Sequence, residues 1–98
     1  MLPSVNYTRI PLKTMSALQA YVEQGRPVGQ FLQAVLGNDL LGSYARAGPD
    51  DLAALGDIMA WLYWEAPASS WGNYERYVKW TNSAERAAQL GARKEMLR

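Results

Sequence analysis

Ninety-eight residues, 49% hydrophobic and 19% charged, have the balance of one globular domain over residues 1–98, although a domain this small buries only about 60–65% of its chain surface. Cysteine and histidine are both absent, which excludes disulfides, thiolate nucleophiles, imidazole general bases and ordinary zinc sites; neither a metal nor another cofactor is expected. The net charge of +1 conceals +2 over residues 1–26, −5 over 27–75 and +4 over 76–98, a dipolar pattern far from the dense basic footprint of a nucleic-acid domain.

Ala and Leu are common, β-branched residues are few, and strict apolar/polar alternation is missing. The expected fold is therefore all-α, a compact bundle of four to five short helices. Residues 1–10 read as an extended lead-in that packs Val5, Tyr7 or Ile10 onto the body. Pro11 suits a first helical turn, and the spacing predicts a helix over 11–24 with Leu12, Met15, Leu18, Gln19 and Val22 on one stripe. Gly25 stops it and Pro27 confirms the break. A second helix over 28–36 buries Phe31, Leu32, Val35 and Leu36. Gly37-Asn38-Asp39 then restarts the chain into a short helix over 39–47 that turns Leu40, Leu41 and Tyr44 inward.

Gly48-Pro49-Asp50-Asp51 is a boundary, with proline in the first turn and acids at the positive end of the dipole. The next helix is predicted over 49–65, with Leu52, Leu55, Ile58, Met59 and Leu62 as its core stripe and Pro67 beyond its end. After a loop over 66–72, Asn73 caps a helix whose stripe is Tyr74, Tyr77, Val78 and Thr81. Asn82-Ser83-Ala84-Glu85 has the pattern of a fresh cap. Residues 83–98 are weakly amphipathic: a continuation, a separate helix, or a helix formed on a partner. No run of about 18 apolar residues is present to span a membrane, and the N-terminus lacks a signal-peptide pattern, so the expected location is the cytoplasm.

Three of the four tryptophans fall within Trp61-Leu-Tyr-Trp64-Glu-Ala-Pro-Ala-Ser-Ser-Trp71, and Trp80 follows. Turned by about 100° per residue from Pro49, Trp61 and Trp64 lie with Asp57 and Glu65, opposite the core stripe. Tryptophan carries interface energy disproportionately, so Trp61, Trp64 and Trp71, rimmed by Asp57 and Glu65, form a candidate partner-binding patch. The competing expectation is that Trp61, Trp64, Trp71 and Trp80 seal the far side of the bundle against the lead-in or the last helix; a base-stacking or small-molecule cage is the third. Asp39, Asp50, Asp51, Asp57, Glu65 and Glu75 are the candidates for a carboxylate-only metal site or acid/base pair. Capping accounts for Asp39, Asp50 and Asp51, and no enzyme is expected. Arg76, Lys79, Arg93, Lys94 and Arg98 are candidate electrostatic contacts, whether to phosphate beside Trp80 or to an acidic partner; a solvated helix end explains the last three equally. Gly25-Arg26-Pro27-Val28-Gly29 lacks the spacing and Lys-Ser/Thr ending of a phosphate loop and reads as a helix–helix turn.

The string Ala17-Leu18-x-x-Tyr21-Val22-x-x-Gly25-x-Pro27-x-Gly29-x-Phe31-Leu32-x-Ala34-Val35-Leu36-x-Asn38-Asp39-Leu40, continued by Ala66-Pro67, Trp71-Gly72 and Val78-x-x-Trp80, resembles a family of small proteins encoded by bacteriophages and prophages. The resemblance covers about residues 11–80. Where family members usually carry Ser-Pro after Trp-Gly, this chain has Asn73-Tyr74, which keeps a capping residue and loses the proline. The family has no agreed activity, so the resemblance implies a genetic setting and no catalytic residues. In that setting the expectation is a non-enzymatic accessory protein in a bacterial host cell that binds and inhibits a host protein, for example an antiviral defence complex, in the manner of an anti-CRISPR. The alternatives are a nucleic-acid or nucleotide binder using the basic C-terminal segment, and a phage structural or scaffolding part that forms a homo-oligomer. Salt dependence separates the first two, since phosphate binding weakens steeply with added salt.

Overall fold

Proline and glycine punctuate the chain into short helices. The computed structural model describes residues 7–82 and Ala87. Within them run α1 (Leu12–Gln24), α2 (Gln30–Leu36), α3 (Leu40–Arg46), α4 (Pro49–Ala53), α5 (Leu55–Glu65), a 3₁₀ turn (Ala68–Ser70) and α6 (Tyr74–Thr81). No strand occurs among the described residues, and the fold is all-α and compact. The radius of gyration, 13.2 Å, matches the roughly 13 Å of a compact chain of this length. The lead-in residues 1–6 and the segment 83–98, Ala87 apart, lie outside the described residues.

Several helix ends have a local chemical cause. α1 stops where Gly25 takes the left-handed conformation (φ 71°), its N–H returning to the Tyr21 carbonyl at 2.9 Å. α2 stops at a left-handed Asn38 (φ 60°). There the Asp39 N–H reaches back to Ala34 O at 2.8 Å and the Asn38 N–H to Val35 O at 3.1 Å, the paired bonds that close a helix around a left-handed residue. The same Asp39 then opens α3, its Oδ1 accepting the Gly42 N–H at 2.9 Å. Pro49 occupies the first turn of α4 with Asp50 and Asp51. Asn73 caps α6 by accepting the Arg76 N–H at 2.8 Å.

The core forms where α1, α2, α5 and α6 meet. Ile10, Leu18, Tyr21, Val22, Val28, Leu32, Leu36, Ala54, Ile58, Trp61, Leu62, Tyr77 and Trp80 are buried in one cluster. Three aromatics organise it. Tyr21 stacks on Tyr77 with ring centroids 5.5 Å apart. The Tyr21 hydroxyl donates to Ser70 O at 2.7 Å, tying α1 to the 3₁₀ turn. Trp80, fully buried, donates from Nε1 to the Tyr21 and Val22 carbonyls at 3.1 and 3.2 Å, locking α6 onto the last turns of α1. The Tyr77 hydroxyl accepts the Val28 N–H at 3.3 Å, so the backbone entering α2 is satisfied inside the core.

Several expectations need correction; Leu12, expected on the α1 stripe, and Tyr74, expected on the α6 stripe, are exposed. The helix predicted over 49–65 is two helices, which brings the described count to six. The backbone breaks at Ala54 (φ −97°, ψ 5°), whose N–H is shared between the Asp50 and Asp51 carbonyls at 3.2 Å each. The expected stripe therefore holds only in part, at Ile58 and Leu62 and not at Leu52 or Met59. α5 buries Ile58, Trp61 and Leu62, whereas Met59 and Leu52 are exposed. α3 packs against α2 through its small residues, burying Gly42 and Ser43, and so turns Leu40, Leu41 and Tyr44 outward instead of inward. Val78 of α6 is likewise exposed, while Trp80 takes the buried place beside Tyr77.

Candidate interaction site

α5, Leu-Gly-Asp-Ile-Met-Ala-Trp-Leu-Tyr-Trp-Glu, is apolar around nearly its whole circumference. That pattern belongs to a helix buried on all sides. Here, among the described residues, only one side is covered. Opposite Ile58, Trp61 and Leu62, the outward face carries Gly56, Met59, Ala60, Tyr63 and Trp64, with Met59 52% exposed, Tyr63 64% and Trp64 46%. Scattered exposed hydrophobics are ordinary, whereas a contiguous aromatic and aliphatic face on one helix is not.

This face is the wall of an apolar groove of about 430 Å³. Val35 and Asn38, at the end of α2, and Trp71, after the 3₁₀ turn, form the opposite side. Tyr63 sits edge-on to Trp64 at 4.8 Å and tilted against Trp71 at 6.4 Å between centroids. Among the described residues the buried indole N–H of Trp71 has no hydrogen-bond partner, which is uncommon for a buried donor. Val35, Asn38 and Met59 also border a smaller hollow lined by Leu40, Ser43 and Leu55, so the apolar surface continues toward the outward side of α3.

A second cleft of similar size, about 430 Å³, is lined by Gln30, Gln33, Asp39, Arg46 and Tyr74. Much of its polar lining is already engaged. Gln33 Nε2 donates to Val28 O at 2.8 Å, Asp39 caps α3, and Arg46 donates to Gly42 O at 3.4 Å. The apolar groove is therefore the better candidate site.

The tryptophans expected to act together are divided by the fold. Trp61 is 9% exposed and belongs to the core cluster, because it lies one turn after Ile58 on the covered side of α5. Trp64 and Trp71 remain on the groove, joined by Met59 and Tyr63. Trp80, expected beside a basic phosphate-binding surface, is fully buried and has no face free to stack on a base. Asp57 lies in the first turn of α5, and Glu65 at its end accepts the Tyr7 hydroxyl at 3.0 Å. Partial desolvation, and then the bond to Glu65 and its charge, raise the Tyr7 pKa. Thr14 Oγ1 donates to Asp51 Oδ1, and Glu75 lies in the first turn of α6. Among the described residues no three acids gather into a metal-holding group. Arg76 donates to the Ala68 and Trp71 carbonyls, each at 3.2 Å, and Lys79 is exposed in the last turn of α6. Arg93, Lys94 and Arg98 lie outside the described residues.

Sequence reasoning missed Met59 and Tyr63. The available signal was that α5 has apolar residues on every side, so no single stripe could be its whole buried surface. No helix among the described residues is long and apolar enough to cross a membrane. No protein-family model matches the chain, and neither the curated proteins nor the solved structures give a significant match.

Proposed function

We propose that this is a non-enzymatic binding protein whose outward α5 face docks a partner protein. The observation that carries the reading is the uncovered apolar half of α5, with Met59, Tyr63 and Trp64 presented beside Trp71. Aromatics and methionine are the residue types enriched in interface centres, where a few desolvated anchors supply most of the affinity. Two of the candidate acids have structural roles that support the reading: Asp39 caps α3 and Asp51 accepts the Thr14 hydroxyl. In the phage-type setting implied by the resemblance over residues 11–80, the partner is a host protein in the cytoplasm and docking inhibits it, with antiviral defence complexes of the CRISPR type as first candidates. That finer statement rests on the quoted residues alone.

The test is comparative capture from bacterial lysate at high salt, using wild type and the single variants Met59→Glu and Tyr63→Glu, each checked for helicity and melting temperature. The reading expects a protein retained by wild type and lost by both folded variants. Equal retention by all three, or only nucleic acid that washes away with salt, overturns it.

A further inference from the structure

The geometry points to one kind of occupant for this face: a partner segment that is itself an amphipathic α-helix, apolar toward α5 and flanked by lysine or arginine. This deepens the docking reading above and rests on it. The shape comes first. Gly56 and Ala60 lie four residues apart on the outward face of α5, as do Met59 and Tyr63, so each pair stacks along the helix. The small pair forms a trough beside the ridge of the large pair, and a Cβ added at Gly56 meets nothing within 4 Å. A ridge beside a trough is the surface into which a second helix packs. From Leu55 to Trp64 the face extends about 13 Å at roughly 1.5 Å per residue, enough for anchors at i, i+3 or i+4, and i+7 of an incoming helix.

Hydrogen bonding decides between a helix and an extended peptide. The groove is lined by Val35, Met59, Tyr63, Trp64 and Trp71, with Asn38, the Tyr63 hydroxyl and the two indole N–H groups as its polar side-chain groups. An extended segment laid there would bring a row of backbone N–H donors to a lining whose side-chain acceptors are Asn38 Oδ1 and the Tyr63 hydroxyl. A helix arrives with its backbone bonds already made. Strand addition needs a sheet edge, and the described residues contain no strand.

Charge decides between a partner and a second copy. Residues 27–75, which supply the entire groove, carry one cation, Arg46, against Asp39, Asp50, Asp51, Asp57, Glu65 and Glu75, a net −5. Asp39 borders the hollow that continues the groove, and Asp57 and Glu65 stand on α5 itself. Arg46 and, just past this segment, Arg76 are directed onto backbone carbonyls. Pairing two copies through α5 would place this acidic segment on both sides of the seam, whereas a helix with basic flanks is complementary to it.

A naive library of displayed peptides, selected on the intact 98-residue protein and counter-selected on Tyr63→Glu and, separately, Met59→Glu, tests this. The expected enriched peptides have apolar residues at helical spacing and net positive charge, and become helical on binding. Their affinity should fall at least fivefold between about 0.1 M and about 1 M salt, as the Debye length shrinks from about 10 Å to about 3 Å. Enriched peptides that depend on Tyr63 but are proline-rich, lack helical spacing, or bind independently of charge and salt overturn the helix inference and leave the docking reading standing. A stable dimer abolished by Tyr63→Glu also overturns it, by placing a second copy on the face. No enrichment, or enrichment indifferent to both variants, removes the inference and the docking reading together.

Discussion

Trp80 and Tyr21 show how much a single side chain contributes in a domain this small. The Trp80 indole fills the core and also pairs two carbonyls at the end of α1, and the Tyr21 hydroxyl pairs Ser70 O. Trp80→Ala removes both packing and hydrogen bonds, and the expected loss is about 3–5 kcal/mol, read from the shift in urea midpoint. Tyr21→Phe keeps the ring and strands one carbonyl, for an expected loss of about 1–3 kcal/mol. Burial, and then repulsion from Tyr77, push the Tyr21 phenol well above its ordinary value. The folded state therefore holds that proton after the unfolded chain has released it. The sign follows directly: above pH about 10 the unfolded state binds fewer protons than the native one, so stability falls as pH rises further. With no histidine or cysteine, no side chain with an unperturbed pKa titrates between about pH 6 and 8. Thermal melts across pH should be flat in that window and drop in the alkaline range, with a shallower drop for Tyr21→Phe. An equally steep drop in the variant would show that another group drives it.

At the scale of elements, local chemistry was the readable part. Gly25, Asn38-Asp39, Pro49 and Asn73 mark helix ends because each has a local job, a left-handed turn, a first-turn φ or a side-chain cap, that does not depend on the rest of the molecule. Ala54 carries no such mark. Alanine is the best helix former, so nothing local announces a break there; the stripe expected across it holds at Ile58 and Leu62 and fails at Leu52 and Met59. α3 went wrong for a different reason. Its apolar residues follow helical spacing, yet it packs through Gly42 and Ser43, and spacing alone cannot reveal that the small side is the close one. α5 was ambiguous in principle: a helix apolar all round has two candidate buried faces, and only the neighbours decide which one the chain itself covers. The candidate site was accordingly half legible, with Trp64 and Trp71 found, Trp61 misplaced, and Met59 and Tyr63 missed. This division predicts a contrast within one helix. Ile58→Ala, on the covered face, should cost about 2–5 kcal/mol. Met59→Glu, one position along on the exposed face, should stay within about 0.5 kcal/mol of wild type. Chemical denaturation of the two variants measures the difference, and a large loss for Met59→Glu would place that face in the fold.

The whole molecule combines a small core held by aromatic hydrogen bonds with an acidic middle and one uncovered apolar helix face. A domain with little stability in reserve gains nothing for its own fold by exposing Met59, Tyr63 and Trp64, and docking gives that exposure a physical reason. The most direct measurement is site-specific photo-crosslinking in bacterial cells, with a photoreactive residue in place of Tyr63 and, as control, in place of the exposed Lys79. The account predicts a discrete protein adduct from position 63 that is absent from position 79. No adduct at 63, or the same adducts from both positions, would contradict it.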